Sequence, residues 1–390
     1  MASVSAQSLD DYIQTALKNN PSIKASREVV KVAKEKINEV KSWSDTGFSV
    51  GVYPSTPETR TGSQPVKIGL SQSFPWFGTY AQAAKAQKER VGVDKYNVRL
   101  TEKELRYRIA ELYYKIYQLQ SDVEMLKENK SILEVYEKMA LGALENNKAR
   151  MSDILRIRAE KNALYARINQ HIQDLQSARH AFNRLLNRNI EASVNIPSQL
   201  NVTDILPSNT NVENHPSVAK IKQLQRVYLQ QEKWIKKQSL PKFRLGTDYM
   251  PVQPRTDAFP VDNGKDVWMI SVGLQIPLFN KSYRSRLKQT ELKRKQAEYQ
   301  QENQLLILQS AFEQAQADYD NALVNIVTAN KNAADVQTAI DADLKAYETG
   351  LLDYDRILRL QLQKIKFQLQ AIENTYKAFT AYERIKFLTN

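Results

Sequence analysis

The chain has 390 residues, 42% of them hydrophobic, with 11 glycines and 13 prolines, enough for a sizeable core and with few breakers to interrupt long helices. Lysine and arginine (56) outnumber aspartate and glutamate (43), and the net charge of +13 bears on partners and solubility but not on fold. The absence of cysteine excludes disulfides, zinc–thiolate sites and thiol nucleophiles, and His171, His180 and His215 are not spaced as metal ligands on one helix face.

The opening residues, Met1-Ala2-Ser3-Val4, lack the basic and apolar regions of a signal peptide and read as a start placed before a mature sequence. Asn20-Pro21-Ser22-Ile23 opens an amphipathic helix of about 25 residues. Two strand-like segments follow, near 44–54 and 64–75. In the first, Phe48, Val50 and Val52 alternate with Ser49, Gly51 and Tyr53; in the second, Val66, Ile68 and Leu70 alternate with Lys67, Gly69 and Ser71. Phe74-Pro75-Trp76-Phe77-Gly78 is a joint, after which a helix runs from Thr79 to Asn146, about 100 Å if unbroken. Its apolar residues Leu105, Ile109, Leu112, Ile116, Leu119, Val123 and Leu126 alternate four and three, the seam of a left-handed coiled coil. The pattern breaks at Asn146-Asn147. A return helix then carries Ile154-Leu155-Arg156, Leu164, Ile168, Leu175 and Phe182, and a segment rich in Asn, Ser, Pro and Val runs from Asn187 to Asn214.

The order then repeats. His215-Pro216-Ser217-Val218 opens a helix, and strand-like segments fall near 241–251 and 266–279. The joint is Ile276-Pro277-Leu278-Phe279-Asn280, and a long seam runs from Leu305 to Ile340. A break at Thr349-Gly350 precedes Ile357-Leu358-Arg359 and the return seam Leu362, Ile365, Leu369, Ile372, Tyr376 and Phe379. The duplication divides the chain into 1–190, with a hairpin at 44–75, a linker at 191–213, and 214–390, with a hairpin at 241–279. Segments of about ten residues can cross a bilayer when tilted, although a soluble half-buried sheet would alternate in the same way. Aromatics near the strand ends (Tyr53, Phe74, Trp76, Trp268, Phe279) suit an interfacial girdle. Four strands cannot close around a pore, since even eight only fill with side chains, so a membrane reading requires oligomerisation. No apolar run of 18 residues exists, so no membrane helix is expected, and a barrel needs none.

This pattern resembles the TolC-type outer-membrane factors (outer membrane efflux proteins), and the Phe74–Gly78 joint is similar to that of their CzcC/CusC-like branch. The resemblance covers nearly the whole chain. It implies a mainly helical fold in which long antiparallel coiled-coil helices form a tunnel and a homotrimer pools its strands into one twelve-stranded barrel. It implies a passive exit duct in the outer membrane of a Gram-negative bacterium, its helices in the periplasm, serving a tripartite efflux pump or a type I secretion system. Arg150-Met151-Ser152 resembles the family's Arg-Leu-Ser motif for docking a periplasmic adaptor, and Gly350-Leu351-Leu352 resembles the glycine turn of the other hairpin. Asp153, Asp353, Asp355, Arg356 and Arg359 are the candidate aperture residues, expected to pair between chains, with Asp153 equally readable as a first-turn helix acid. Arginines flank Ile357-Leu358 where some members carry acids, a departure from the family's pattern. Pro75, Gly78 and Pro277 fix the strand-to-helix bends, proline because it lacks an N–H and fits the end of a strand or the first turn of a helix. The cysteine that many relatives carry for lipidation is missing.

The other reading is a periplasmic adaptor or another coiled-coil interaction protein, against which stand two helical hairpins and the lack of a glycine-rich lipoyl-like domain. Nucleic acid is not an expected partner, because the basic residues are interleaved with acids, as in Lys34-Glu35-Lys36. No phosphate loop, nucleophile elbow or ligand cluster suggests an enzyme or a cofactor.

Overall fold

The computed structural model describes residues 8–146, 149–197, 200, 202, 211–348 and 354–389. Among them are seven α-helices: α1 (Leu9–Asn19), α2 (Pro21–Glu39), α3 (Thr79–Glu145), α4 (Met151–Leu185), α5 (Pro216–Gln238), α6 (Ser282–Glu348) and α7 (Tyr354–Thr389). The strands are β1 (Gly47–Val52), β2 (Glu58–Thr59), β3 (Gly62–Ser63), β4 (Val66–Phe74), β5 (Lys242–Met250) and β6 (Val267–Gln275). The two long helices, α3 and α6, each have 67 residues. The chain forms two compact units: Met1–Ser26 with Val98–Pro216 and Gln304–Asn390, and Arg27–Asn97 with Ser217–Asn303.

The first unit has helices and no strand among its described residues, and it carries two apolar clusters. The alternating seam of α3 is buried as its spacing predicts, with Ile109, Ile116 and Leu126 fully enclosed. On α6 the buried seam mixes sizes: Ala315, Ala322 and Ala329 are buried with Leu308, Tyr319 and Ile340, and alanines let helices approach closely. One cluster joins α1, α3, α4 and α7 around Tyr12, Tyr113, Phe182 and Phe379. The other joins α3, α4, α6 and α7 around Leu133, Ile154, Ile340, Ile357 and Ile365.

Helix α1 was not expected. Ser8 caps it, exchanging hydrogen bonds with Asp11 in a capping box, and its buried face places Tyr12 edge-on to Phe182 at 5.1 Å. Asn187, with φ 52°, follows the end of α4, a left-handed conformation that asparagine tolerates. The start of the predicted linker is ordered: buried Asn183 donates to the carbonyls of Ile190 and Ala192.

The second unit contains the sheet, of order β1-β4-β5-β6 and antiparallel throughout. All four expected strands form, each shorter than read. β6 stops at Gln275, before Pro277, which has no N–H to continue a ladder. The small β2–β3 hairpin was not expected. It needs Gly62 at φ 134°, where a Cβ would meet the Gln253 carbonyl oxygen at 1.9 Å. Glutamines tie α5 to its neighbours: Gln82 donates to Gln230, Gln223 to Glu89, and Gln225 to Gln301.

Candidate functional site

Register sorts the sheet into two chemically different faces. Phe48 pairs with Leu70, Val50 with Ile68, Leu245 with Val272 and Thr247 with Ile270, so these side chains share one face. The opposite face pairs Gly47 with Ser71, Ser49 with Gly69 and Gly246 with Ser271. On that small, polar face Lys67 and Asp248 form an ion pair at 3.1 Å. The apolar face is uncovered in the single chain: Val50 is 56% exposed, Ile270 79% and Val272 77%. A soluble half-buried sheet turns its apolar face inward, and this sheet does not.

Aromatic pairs bracket that face. Tyr249 and Trp268 pack at 4.8 Å at one end. At the other, Trp43 meets Phe74 at 5.6 Å and Trp76 stacks on Phe243 at 5.4 Å. Phe243 and Tyr249 are six residues apart on β5, about 20 Å, close to the apolar band of a membrane barrel. At the first joint Pro75 follows β4 directly, and Gly78, at φ 80°, precedes α3, whose first residue, Thr79, donates through N and Oγ1 to the Trp76 carbonyl. The second joint has Pro277 after β6 and Asn280 in place of the glycine, with the Asn280 side chain accepting from Ser282 N.

In the helical unit, the reversal between α3 and α4 begins its second helix with Arg150 as N-cap residue. The Asp153 carboxylate accepts from the Arg150 backbone N at 3.1 Å, which is the first-turn role foreseen as its alternative. Ile154 and Ile157 anchor the turn in the core, while Arg150, Ser152, Met151 and Leu155 remain exposed. Gly350, Leu351, Leu352 and Asp353 lie outside the described residues. The other aperture candidates find partners within the chain. Asp355 pairs with Arg156 and, at 2.9 Å, with Arg359, while Arg356 reaches the buried Asp343 on α6 at 2.8 Å. These acids of the same chain come within reach because α4, α6 and α7 pack side by side here. Nearby, Arg158 and Lys161 of α4 both donate to Glu137 of α3 at 2.6 Å, holding that carboxyl below its usual range.

Three polar features had no signal in the sequence. Asn129 and Gln361, each 1% exposed, join α3 to α7: Gln361 donates to Asn129 at 2.6 Å, and Asn129 donates to Gln368 at 3.1 Å. Asp122 is buried on α3, 3.8 Å from His171 Nδ1 on α4, and burial lifts its carboxyl to about 6. Asp343, the partner of Arg356, is the third. No group of three or more metal-ligating side chains occurs among the described residues.

Residues 208–390 match the family model described as outer membrane efflux protein. None of the curated proteins matches the chain. Among solved structures, the fold is similar to that of CusC, studied for folding and transmembrane channel formation, with a TM-score of 0.81 at 14% identity over 100% of this chain and 96% of that one. It is similar to the outer membrane protein VceC of Vibrio cholerae, with a TM-score of 0.77 at 15% identity over 97% of this chain and 95% of that one. It is also similar to the open state of the MtrE outer membrane channel of Neisseria gonorrhoeae, with a TM-score of 0.72 at 15% identity over 96% of this chain and 88% of that one. Identities this low carry the fold alone. The family match over the second half and these folds together meet the resemblance read from the sequence and the mainly helical fold class with four strands.

Proposed function

We infer that this chain, an outer membrane efflux protein by its family match over residues 208–390 and by its fold, works as a passive duct through the outer membrane of a Gram-negative bacterium. The observation that carries the reading is the two-faced sheet: an exposed apolar face bracketed by aromatics, backed by a face of glycine and serine. Three copies would pool twelve strands, beyond the eight that merely fill with side chains, and the small polar face would line the lumen. Apolar residues left uncovered on α6, among them Tyr299, Leu306 and Val327, support packing against further copies. The reading takes 1–190 and 214–390 as two repeats joined by 191–213, each giving a hairpin to the barrel and a helical pair to a periplasmic tunnel. It assigns no catalysis.

The finer parts of the reading concern the helix reversals. Arg150, Met151 and Ser152, together with Gly350, Leu351 and Leu352, are the proposed docking surface for a periplasmic adaptor that couples the duct to an inner-membrane pump. The exposure of the first three on a turn anchored by Ile154 supports this. Asp153, Asp353, Asp355, Arg356 and Arg359 are the proposed aperture residues: Arg356 holds α7 to α6 through Asp343, and Asp355 takes Arg156 of α4 as well as Arg359 of its own helix. Pro75, Gly78 and Pro277 set the bends where strands become helices.

Detergent-extracted protein is expected to be a trimer by native mass spectrometry and to form channels in planar bilayers. Replacing Arg356 and Arg359 with alanine raises single-channel conductance, and replacing Arg150 and Ser152 weakens adaptor binding while the trimer stays intact. A monomer in detergent, or a sheet that folds without detergent or lipid, removes the duct reading. A trimer whose variants match the wild type removes only the assignment of these residues.

A further inference from the structure

The excess of +13 charges has no task in the duct as described so far. In the sheet-bearing unit, part of it gathers around a cavity of about 510 Å³ at the strand-to-helix joint. The cavity is lined by Lys237 of α5 and Arg286 of α6, with Trp76, Trp234 and Tyr283 among its aromatic walls; Lys242 of β5 borders it as well, but its register with Gln275 places its side chain on the small polar face. Glu39 is its one lining carboxylate, and that side chain pairs with Lys36. None of the three cations forms an ion pair with a carboxylate among the described residues. Arg286 lies over the Tyr283 ring at 5.9 Å. Gln238 adds a side-chain oxygen that is buried without a hydrogen-bond partner.

Two further facts point to an anion. The first turn of α6 holds no acid and carries Arg284, with Arg286 just beyond, so its charge runs against the helix dipole. A bound anion removes that conflict, since the amides of a helix start and the nearby cations would both face it. The cavity also sits at the end of the sheet where Trp76 stacks on Phe243 and Trp43 meets Phe74, the level at which an aromatic girdle marks the membrane surface. Cations just beyond such a girdle lie among headgroups.

We propose that this cavity binds the headgroup of an anionic phospholipid from the leaflet that faces the helices, its phosphate held by Lys237 and Arg286. The acyl chains would then run up the apolar face past Phe74, and Gln238 would accept from a headgroup hydroxyl. The proposal rests on the duct reading, because it needs the sheet to be in a membrane.

The test is native mass spectrometry of the detergent-solubilised trimer titrated with phosphatidylglycerol or phosphatidylcholine at low and high salt. Phosphatidylglycerol is expected to bind preferentially, more weakly as salt rises, and about five-fold more weakly for each of Lys237→Gln and Arg286→Gln. The double variant should lose about 25-fold. Equal binding of the two lipids, or a double variant that binds as the wild type does, overturns the proposal. Displacement of the lipid by millimolar inorganic phosphate overturns it too, by showing a simple anion site. If the double variant fails to assemble, the single variants and the salt dependence of the wild type decide. A wild-type protein that is not a trimer in detergent refutes the duct reading, whereas an intact trimer indifferent to phosphatidylglycerol refutes only the lipid site.

Discussion

Asp122 is 3% exposed on α3, and its carboxyl is pushed up to about 6, chiefly by burial. Lys115 and Arg167 pull it down and Glu373 pushes it up, while His171, lowered by its own burial and by Arg167, faces it at 3.8 Å. One Asp122 oxygen is buried with no hydrogen-bond partner, so its ionisation is poorly compensated. A carboxyl raised in the folded state adds stability below its unfolded value and loses it as pH rises through the folded value. Between about pH 4 and 6 the ionised side chain therefore comes to oppose folding. A shift of about two units corresponds to about 3 kcal/mol per chain once both states are ionised. Asp122→Asn keeps the shape and removes the charge. It should gain up to about 3 kcal/mol at pH 7.5 and nearly nothing at pH 4. The assay is urea unfolding followed by helical circular dichroism at both pH values, on wild type and variant in the same detergent. A gain of the same size at both pH values, or a loss at pH 7.5, would refute the account of Asp122 as a buried, uncompensated charge.

Ile357, fully buried in the core at the reversal, should cost about 2–5 kcal/mol as Ile357→Ala, whereas Leu155→Ala, at a position 56% exposed, should stay within about 0.5 kcal/mol in the same unfolding assay. Gln361→Leu leaves the buried Asn129 Oδ1 without its donor and should cost about 1–3 kcal/mol, while the double change Asn129→Leu with Gln361→Leu recovers much of it; additive losses in the double-mutant cycle would count against the pairing. Ile270→Lys, on the exposed apolar face, should cost about 2–4 kcal/mol of folding into bilayers, and Ser271→Lys, on the opposite face, far less, as read by the yield of folded trimer; equal yields would contradict the assignment of faces.

Much of this architecture was legible in the chain because periodicity is a local property. A four-three alternation of apolar residues requires a helix with a neighbour, and a period of two requires a strand with two unlike faces, whatever the partner. Hence the α3 seam from Leu105 to Leu126, the reversals after Glu145 and Glu348, and the alternation at Phe48, Val50 and Val52 were all readable from residue types and spacing. The start of α1 lay in an equally local signal, the Ser8–Asp11 capping box, which is short enough to pass unread.

Partner identity is not local, and only the tertiary structure decided it. A heptad states which face is buried but not against which helix, so nothing in the spacing showed that Gln361 would meet Asn129, or that Arg356 would reach Asp343. The near-identical triplets Ile154-Leu155-Arg156 and Ile357-Leu358-Arg359 end differently, because packing buries Leu358 and leaves Leu155 in the open. The sheet is the clearest case. Each hairpin could be read from its own segment, but the pairing of β4 with β5, which makes one continuous four-stranded face from two distant hairpins, depends on backbone hydrogen bonds between stretches far apart in the chain. Those bonds carry no side-chain signature, and without them the apolar residues of the two hairpins would not share a surface broad enough to meet a membrane.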